Sequence, residues 1–233
     1  MIGAQHGQYD IFYGAAIGDV GLVAAHVRGG VNVNLRDNTG YTPLHLAAHF
    51  GHLGVVKWLV LRGGADVNMV TRTGTSALFI AAQEGHRKVV KWLAGEGGAD
   101  VNLAMDYGIT LLHMYAMHGN LDMVRFLVGK GADVNKVEGS GVPPLITAIQ
   151  FAGAEEDLSE EHLALIRWLA DPSGGGADCT IEVQTDDGLA TAGDIAEQYG
   201  LLDDVYEELA DLLHGVETMQ RDRRRRNRGR GRF

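Results

Sequence analysis

The side chains of this chain that could carry out chemistry are ten histidines, a single cysteine and thirty carboxylates. A zinc-binding enzyme helix carries two histidines four residues apart, with a glutamate nearby. His45 and His49 have this spacing, but the residues LAA between them include no glutamate, and a structural role explains His45 better. Cys179 lies in a glycine-rich stretch, and no phosphate-binding P-loop pattern occurs. These patterns predict no catalytic site, no cofactor and no metal site.

The carboxylates are concentrated in one part of the chain. Residues 1–152 hold 11 basic and 11 acidic residues, whereas residues 153–217 hold 18 acidic residues and Arg167 as their single base. The acidic residues do not follow the DxDxDG spacing of a calcium-binding loop. Two interpretations stay open: the block is a solvated acidic face, or it is an electrostatic surface for a basic partner.

The C-terminal sequence RDRRRRNRGRGRF is strongly basic, although the whole chain has a formal net charge of -10. This segment is a candidate for binding RNA, for docking on an acidic protein surface (the chain's own included) or for directing nuclear import. Phe233 is its one aromatic residue, so base stacking contributes little. The candidate anion-binding residues are Arg221, Arg223, Arg224, Arg225, Arg226, Arg228, Arg230 and Arg232.

Composition also bounds the location of the protein. No run of about 18 apolar residues occurs, so we expect no membrane-spanning helix. The N-terminal sequence MIGAQHGQYD lacks the pattern of a secretory signal. A lone cysteine cannot form an intrachain disulfide, as is usual in reducing compartments. We therefore expect an intracellular protein, cytoplasmic or nuclear.

The elements that would position these residues follow from an internal repeat. The phrase GGADVN occurs at 63–68 and 97–102, GADVN at 131–135, and a degenerate copy, GGVNVN, at 29–34. The final asparagines, Asn34, Asn68, Asn102 and Asn135, are 34, 34 and 33 residues apart. A second phrase keeps the same phase, as GYTPLHLAAHFGH at 40–52, GTSALFIAAQEGH at 74–86 and GITLLHMYAMHGN at 108–120. The chain is therefore a repeat protein.

Each period predicts two short helices and a loop. In the second period Leu44, Ala47 and Ala48 form a helical stripe that ends at Gly51. A second helix follows, with Leu53, Val56, Leu59 and Val60 on one face and Gly63 and Gly64 at its end. The polar residues that come next suit a hairpin-like loop. One such unit is too thin to bury its apolar stripe, so neighbouring units must stack on it.

The period and both phrases resemble ankyrin repeats, and the TPLH motif of that family is intact at residues 42–45. The resemblance implies an all-α fold, an α-solenoid of about six repeats with β-hairpin-like loops. We place the repeats at about 8–34, 35–68, 69–102, 103–135, 136–180 and 181–215, within a domain of residues 1–217. The arginine-rich tail would then be residues 218–233.

Departures from the motif make particular predictions. Asp194 replaces the TPLH histidine in the last repeat, where a polar closing unit is expected. Tyr115 stands where a small alanine is usual, so it should push helices apart or reach a polar partner. The fifth repeat carries an insertion near 152–160, after which Ser159 should cap a new helix. The resemblance also implies that His45 and His113 tie loop to helix by hydrogen bonds. We expect structural roles as well for His52, His86 and His162, which follow or replace the turn glycine.

Ankyrin repeats usually recognise other proteins with a concave face made of loop tips and the exposed ends of the first helices. The resemblance therefore implies a non-enzymatic scaffold or adaptor, a monomeric subunit within a complex that binds one or more protein partners on that face. The alternative is an RNA-associated subunit of a ribonucleoprotein, anchored by the arginine-rich tail. Carried over position by position, the face comprises Asn38, Tyr41, His49, Phe50, Arg72, Thr75, Gln83, Glu84, Tyr107, Ile109, Met117, His118, Val142, Gln150 and Phe151.

Overall fold

The structure is a computed structural model that describes residues 11–153, 159–185, 188–198, 213 and 215–221. It is built mainly from short helices joined by tight turns. In chain order the elements are α1 (residues 11–17), α2 (Val20–Arg28), α3 (Pro43–His49), α4 (Leu53–Trp58) followed by a π-helical turn (Leu59–Gly63), α5 (Ala77–Gln83), α6 (Arg87–Leu93), a 3-10 turn (Asp106–Gly108), α7 (Leu111–Met117), α8 (Leu121–Val128), α9 (Pro144–Gly153), α10 (Glu160–Ala170), β1 (Val183–Thr185), β2 (Gly188–Ala190), α11 (Ala192–Gln198) and α12 (residues 215–221).

The chain divides into two compact units, Met1–Asp106 and Tyr107–Phe233. In the first unit α3 packs against α5, and α4 contacts α2, α3 and α6. In the second unit α7 and α11 both pack against α9, while α10 contacts α8 and α9. Within each unit, therefore, first helices stack on first helices, and each second helix covers its own partner, as the repeat pattern predicts.

The buried stripe of the second repeat follows the prediction with two exceptions. Leu44, Ala47 and Ala48 are at most 2% exposed, and Val56 and Leu59 are fully buried. Leu53 and Val60, however, are only half-buried, and Val55 is buried instead. Val60 leaves the predicted face because it lies in the π-helical turn, whose wider winding shifts the phase of the side chains.

The second helix of the second repeat ends in a wider winding than its counterpart in the third. Over Leu59–Gly63 the chain forms a π-helical turn that ends at Gly64, which has a φ of 74°. The third repeat has the same number of residues between its turn glycine and its final asparagine, yet α6 ends at Leu93 and an ordinary turn follows. The π-helical turn is therefore a local feature of the second repeat.

Short β contacts occupy the loops, as predicted. Val70 and Ser76 form an isolated antiparallel bridge around one loop. Near the C-terminus, β1 and β2 form a two-stranded antiparallel hairpin in which Val183 pairs with Ala190. The hairpin leads directly into α11.

The fifth repeat contains the longest helices among the described residues. Ser159 caps α10, because its hydroxyl accepts a hydrogen bond from the backbone N–H of His162 at 3.3 Å. Glu160 and Glu161 follow in the first helical turn. The cap predicted from the sequence is therefore confirmed. Residues 154–158 of the predicted insertion lie outside the described residues.

The last described helix, α12, packs on the closing repeat. The Gln220 side chain accepts a hydrogen bond from the N–H of Cys179 and donates one to the carbonyl of Ala177, both at 2.9 Å. Val216 is 2% exposed and Glu217 is 6% exposed. Gln220 therefore belongs to a packed helix, although we placed it in the tail of residues 218–233.

Candidate protein-interaction surface

The loops that carry the predicted surface are fixed by caps at the start of each first helix. Thr42 accepts a hydrogen bond from the N–H of His45, and His45 Nδ1 accepts one from the N–H of Thr42 at 3.1 Å. Thr110 and His113 repeat this reciprocal arrangement, in which two helix N–H groups are satisfied. His113 Nε2 also donates to the carbonyl of Val142 in the next loop, at 3.0 Å. The predicted loop-tying role of these histidines is confirmed.

Burial controls the charge of both capping histidines. His45 is fully buried, and burial lowers the pKa of its imidazole to about 4, although the carbonyls of Met69 and Thr75 partly oppose the shift. Burial also lowers the pKa of His113. Both rings are therefore neutral near pH 7, which lets Nδ1 act as the hydrogen-bond acceptor that the cap requires.

Asp194 performs the same capping role in the last repeat. Its Oδ2 accepts hydrogen bonds from the N–H of Thr191 at 2.8 Å and from the Thr191 hydroxyl at 2.7 Å. The carboxylate thus stands in for the imidazole at the TPLH position. Unlike His45, Asp194 is exposed, which agrees with its place in a closing repeat.

A second set of histidines ties the second, third and fifth repeats to the repeat that precedes each of them. His52 Nε2 donates to the carbonyl of Ala16 at 2.8 Å, and His86 Nε2 donates to that of His49 at 2.7 Å. In the second unit His162 Nε2 donates to the carbonyl of Met117 at 3.1 Å. These bonds satisfy carbonyls at the C-terminal ends of first helices, which lack partners within the helix. The equivalence of His162 and His52 confirms the predicted alignment around the insertion.

The final asparagines of the repeated phrase form another link between repeats. The side-chain oxygens of Asn34 and Asn68 accept hydrogen bonds from the N–H groups of Asp66 and Asp100, at 2.9 and 2.8 Å. Asn135 bonds to the N–H of Asp178 at 2.7 Å in the same way. The loops are therefore held in register by side-chain to backbone bonds.

In the first unit most residues of the predicted surface are accessible. Phe50 is 48% exposed, and its ring stands edge-on to the His49 ring at a centroid distance of 4.7 Å. His49 Nδ1 in turn lies 3.2 Å from Glu84 Oε1. Asn38, Arg72 and Gln83 are exposed as well. The structure therefore places an aromatic side chain beside polar groups at the ends of α3 and α5.

Two predicted residues of the first unit are less accessible than expected. Thr75 is 7% exposed, and its hydroxyl lies 3.0 Å from the hydroxyl of Thr73. The Thr73 hydroxyl in turn lies 3.0 Å from that of Thr71. The prediction of an exposed Thr75 is therefore wrong, because the hydroxyl closes its own loop. Tyr41 is half-buried, with its ring 5.7 Å from that of His45.

In the second unit the predicted residues divide by exposure. Tyr107 is 83% exposed, Phe151 is 43% exposed, and His118 is also exposed. The half-buried members are Ile109, Met117, Val142 and Gln150. The backbone explains part of this burial, because the carbonyls of Met117 and Val142 accept the bonds from His162 and His113 described above.

Tyr107 has an unusual backbone. Its φ of 65° is the only positive φ of a non-glycine residue in the described ranges, and such a conformation is strained for a bulky side chain. A hydrogen bond from the N–H of Gly139 to the carbonyl of Tyr107, at 2.5 Å, holds the turn. Gly139 itself leaves no room for a side chain, because a Cβ there would lie 2.9 Å from that carbonyl. The turn therefore projects the ring into solvent.

The prediction missed two accessible residues of the first repeat. Ile17 is 49% exposed and Tyr13 is 59% exposed, and both lie on α1, one helical turn apart. Ile17 immediately precedes Gly18 just as Phe50 immediately precedes Gly51, so the phase of the repeat could have identified it.

Two further polar residues that the sequence singled out, Tyr115 and Cys179, are buried. Tyr115 is 8% exposed, and Cys179 is fully buried. Burial, and secondarily the carboxylate of Glu217, raises the pKa of the Cys179 thiol to about 12, so the thiolate is negligible at pH 7.

Part of the acidic block borders a groove in the second unit. This open groove of about 530 Å³ lies beside the first turn of α10 and is lined by His118, Gly119, Asn120, Leu121, Asp122, Glu160, Glu161 and Ala164.

Some predicted features lie outside the part of the chain that the structure covers. Of the tail arginines, only Arg221 is described; it is exposed at the end of α12. Arg223, Arg224, Arg225, Arg226, Arg228, Arg230 and Arg232 lie outside the described residues. Across the described ranges, no group of three or more metal-binding side chains occurs. No helix within them is long and apolar enough to span a membrane.

Comparison with known proteins identifies the family. Two models of ankyrin repeats match the chain, one over residues 11–105 and the other over residues 112–156. A 48-residue segment is 46% identical to acyl-CoA-binding domain-containing protein 4 of Oryza sativa subsp. japonica, which covers 21% of this chain and 14% of that protein. The matches confirm the predicted fold class, an all-α array of ankyrin repeats, which serve as protein–protein interaction modules. The chain belongs to the ankyrin repeat proteins.

Proposed function

We propose that this protein is a scaffold or adaptor that binds a protein partner through the concave face of its repeats. The observation that carries the proposal is a row of exposed residues at one position of the repeat, the residue just after or at the end of each first helix. Ile17 and Phe50 occupy this row in the first unit, and His118 and Phe151 occupy it in the second. Large apolar side chains that a fold leaves in solvent are typical of binding anchors.

The surroundings of Phe50 support its role as an anchor. The edge-on His49 ring and the adjacent Glu84 carboxylate restrict the orientation of the phenyl group before any partner arrives. An aromatic anchor that is already ordered loses less conformational entropy on binding. Polar groups around it would form the hydrated rim of an interface.

Tyr107 supports the proposal for the second unit. A strained backbone persists only where the surrounding structure enforces it, and strain of this kind concentrates at functional sites. Here the strain coincides with the most exposed of the large hydrophobic side chains among the described residues. Tyrosine combines a large contact area with a hydroxyl that can donate to a partner.

The test is a double substitution on the exposed row. A tagged full-length chain first captures the partner, and binding is then measured with the purified partner. Phe50→Ala with Phe151→Ala should weaken this affinity at least about 30-fold, since even one central aromatic anchor contributes about 2 kcal/mol or more. The melting temperature should change little, because 48% of Phe50 and 43% of Phe151 are already exposed to solvent.

A matched control removes an equally exposed side chain elsewhere. Leu189 is 66% exposed on the β1–β2 hairpin, and Leu189→Ala should leave the affinity unchanged. Equal losses in the control and the double variant would contradict a specific surface. Unchanged binding in the double variant would contradict the proposal itself.

The composition of the C-terminal segment favours a second candidate function, in which the protein is an RNA-associated subunit of a larger assembly. Eight arginines within residues 221–233 could neutralise phosphates, and counterion release would make such binding steeply dependent on salt. Pull-downs with and without nuclease, comparing the full chain with residues 1–220, test this role. Recovery of RNA independent of the tail would contradict it.

A further inference from the structure

The basic residues of the first unit are segregated onto its second helices. Residues 1–106 hold eight basic and eight acidic residues in total. The segments 53–63 and 87–96, which contain α4 with its π-helical turn and α6, hold five of the bases and a single acid, Glu96. The carboxylate of that acid accepts a hydrogen bond from the Trp92 indole at 3.2 Å. An otherwise neutral unit therefore has one strongly basic side.

The cations lie on neighbouring helices that touch. Helices α4 and α6 are in contact, and the Lys57 ammonium lies 5.8 Å from the centre of the Trp92 ring. Arg62, at the end of the π-helical turn, and Lys88 are exposed. We define the basic face as Lys57, Leu61, Arg62, Arg87, Lys88 and Lys91.

The same face exposes apolar side chains that the fold does not use. Leu61 is 61% exposed, and Trp58 and Val60 beside it are half-buried. Leu61 sits in the π-helical turn Leu59–Gly63. The equivalent position in the next repeat, 34 residues on, is Gly95. A leucine is therefore presented to solvent at a position where the architecture accepts glycine.

We propose that the basic face of the first unit binds the surface of anionic membranes. Lysine and arginine near such a surface each contribute about a fivefold factor in affinity. Leu61 and Trp58 suit the boundary between headgroups and acyl chains, where aliphatic and indole groups gain by leaving water. A nucleic-acid backbone would use the cations, but it offers nothing to an exposed leucine, and this favours the lipid surface.

The attraction between exposed cations and an anionic surface is screened by salt, over a length of about 8 Å at physiological ionic strength. The binding should accordingly weaken as salt rises. It is independent of the partner surface proposed above, which the first helices and loops form.

Co-sedimentation of the full-length chain with vesicles tests the proposal. Vesicles containing phosphatidylserine should bind the protein, and vesicles of phosphatidylcholine alone should not. Because the tail is also cationic, each comparison is repeated in a full-length chain whose eight tail arginines are glutamines. Arg62→Glu with Lys88→Glu should lower the affinity for anionic vesicles by at least about 25-fold in either background, at about fivefold per cation.

Substitutions that keep the charge separate lipid from other polyanions. Leu61→Ser should lower vesicle affinity severalfold while leaving the weak binding of an RNA oligonucleotide unchanged.

Lys136→Glu is the control for the charge-reversing variant. It reverses one exposed charge on a loop of the second unit and should have little effect on vesicle affinity. Circular dichroism melting checks that every variant is folded.

Three results would overturn the proposal. The first is equal binding of the wild type and the double-glutamate variant to anionic vesicles. The second is that replacing the tail arginines abolishes all binding to anionic vesicles. The third is that Leu61→Ser leaves vesicle affinity unchanged while RNA binding depends on the charges of the basic face.

Discussion

The second repeat and the closing repeat solve the same problem with different chemistry. In the second repeat the first helix is capped by a buried imidazole, His45 on Thr42, whereas in the closing repeat it is capped by an exposed carboxylate, Asp194 on Thr191. Both groups accept a hydrogen bond from the backbone N–H of the threonine at the same position of the repeat. The imidazole has a second nitrogen, which in the equivalent His113 donates to the next loop. Histidine thus suits a repeat with a neighbour on both sides, and aspartate suits an end.

The largest expected effect comes from removing the interior cap. His45→Ala should lower the free energy of unfolding by about 2–4 kcal/mol, because it leaves a buried N–H and hydroxyl without a partner and empties a filled site. Asp194→Ala should cost only about 1 kcal/mol, as an exposed cap does. Urea denaturation of both variants measures the difference, and equal losses would mean that burial does not distinguish the two caps.

Acid should act selectively on the interior cap. The pKa of His45 is about 4 in the folded chain and about 6.5 when unfolded, because burial disfavours the cation. A lowered histidine pKa means that stability is complete above pH 6.5 and is lost as the pH falls towards 4. At pH 5 the loss is about 2 kcal/mol.

Desolvation raises the pKa values of Asp37 and Glu138, but hydrogen bonds to their carboxylates outweigh it and lower both pKa values. The stability that these two carboxylates contribute is therefore lost only at more acidic pH. Comparing the unfolding free energy of the wild type and His45→Gln at pH 7 and pH 5 isolates the histidine. A wild type that loses no more than the variant would contradict this assignment.

A smaller effect tests how the interior repeats are coupled. Gly51 and Gly85 have φ values of 72° and 73°, so alanine strains either one by about 1–2 kcal/mol. A Cβ at Gly51 would also lie 2.6 Å from His86 Nδ1, whereas at Gly85 no described atom lies within 4 Å. Gly51→Ala should therefore cost about 1 kcal/mol more than Gly85→Ala. In a His86→Ala background this excess should disappear, as thermal melts of the four variants would reveal.

Much of this arrangement could be predicted from the sequence, because repeated phrases fix the phase of each element. The two helices per repeat, the histidine ties and the Ser159 cap all follow from residue types at known positions. The burial of Thr75 could not be predicted, since it depends on hydroxyl contacts within one loop. The strained backbone of Tyr107 could not be predicted either, because the turn is held by the close approach of Gly139 from the next loop.

The basic face shows a different limit. Its cations are visible in the sequence, but the totals for residues 1–152 cancel, so counting charges along the chain hides a separation that exists only in space. The exposure of Leu61 also depends on how the helices pack, which no local propensity indicates. The repeats can therefore be identified from the sequence alone, whereas a surface that several successive repeats build together can be identified only from the structure.

The π-helical turn after α4 has a consequence for how such an array can vary. The second and third repeats have equal lengths, but the second helix of one ends in a π-helical turn and that of the other in an ordinary turn. The hydrogen bonds that join Asn34 to Asp66 and Asn68 to Asp100 are nevertheless 2.9 and 2.8 Å long. The end of the second helix can therefore change its winding while the contacts between successive loops are preserved.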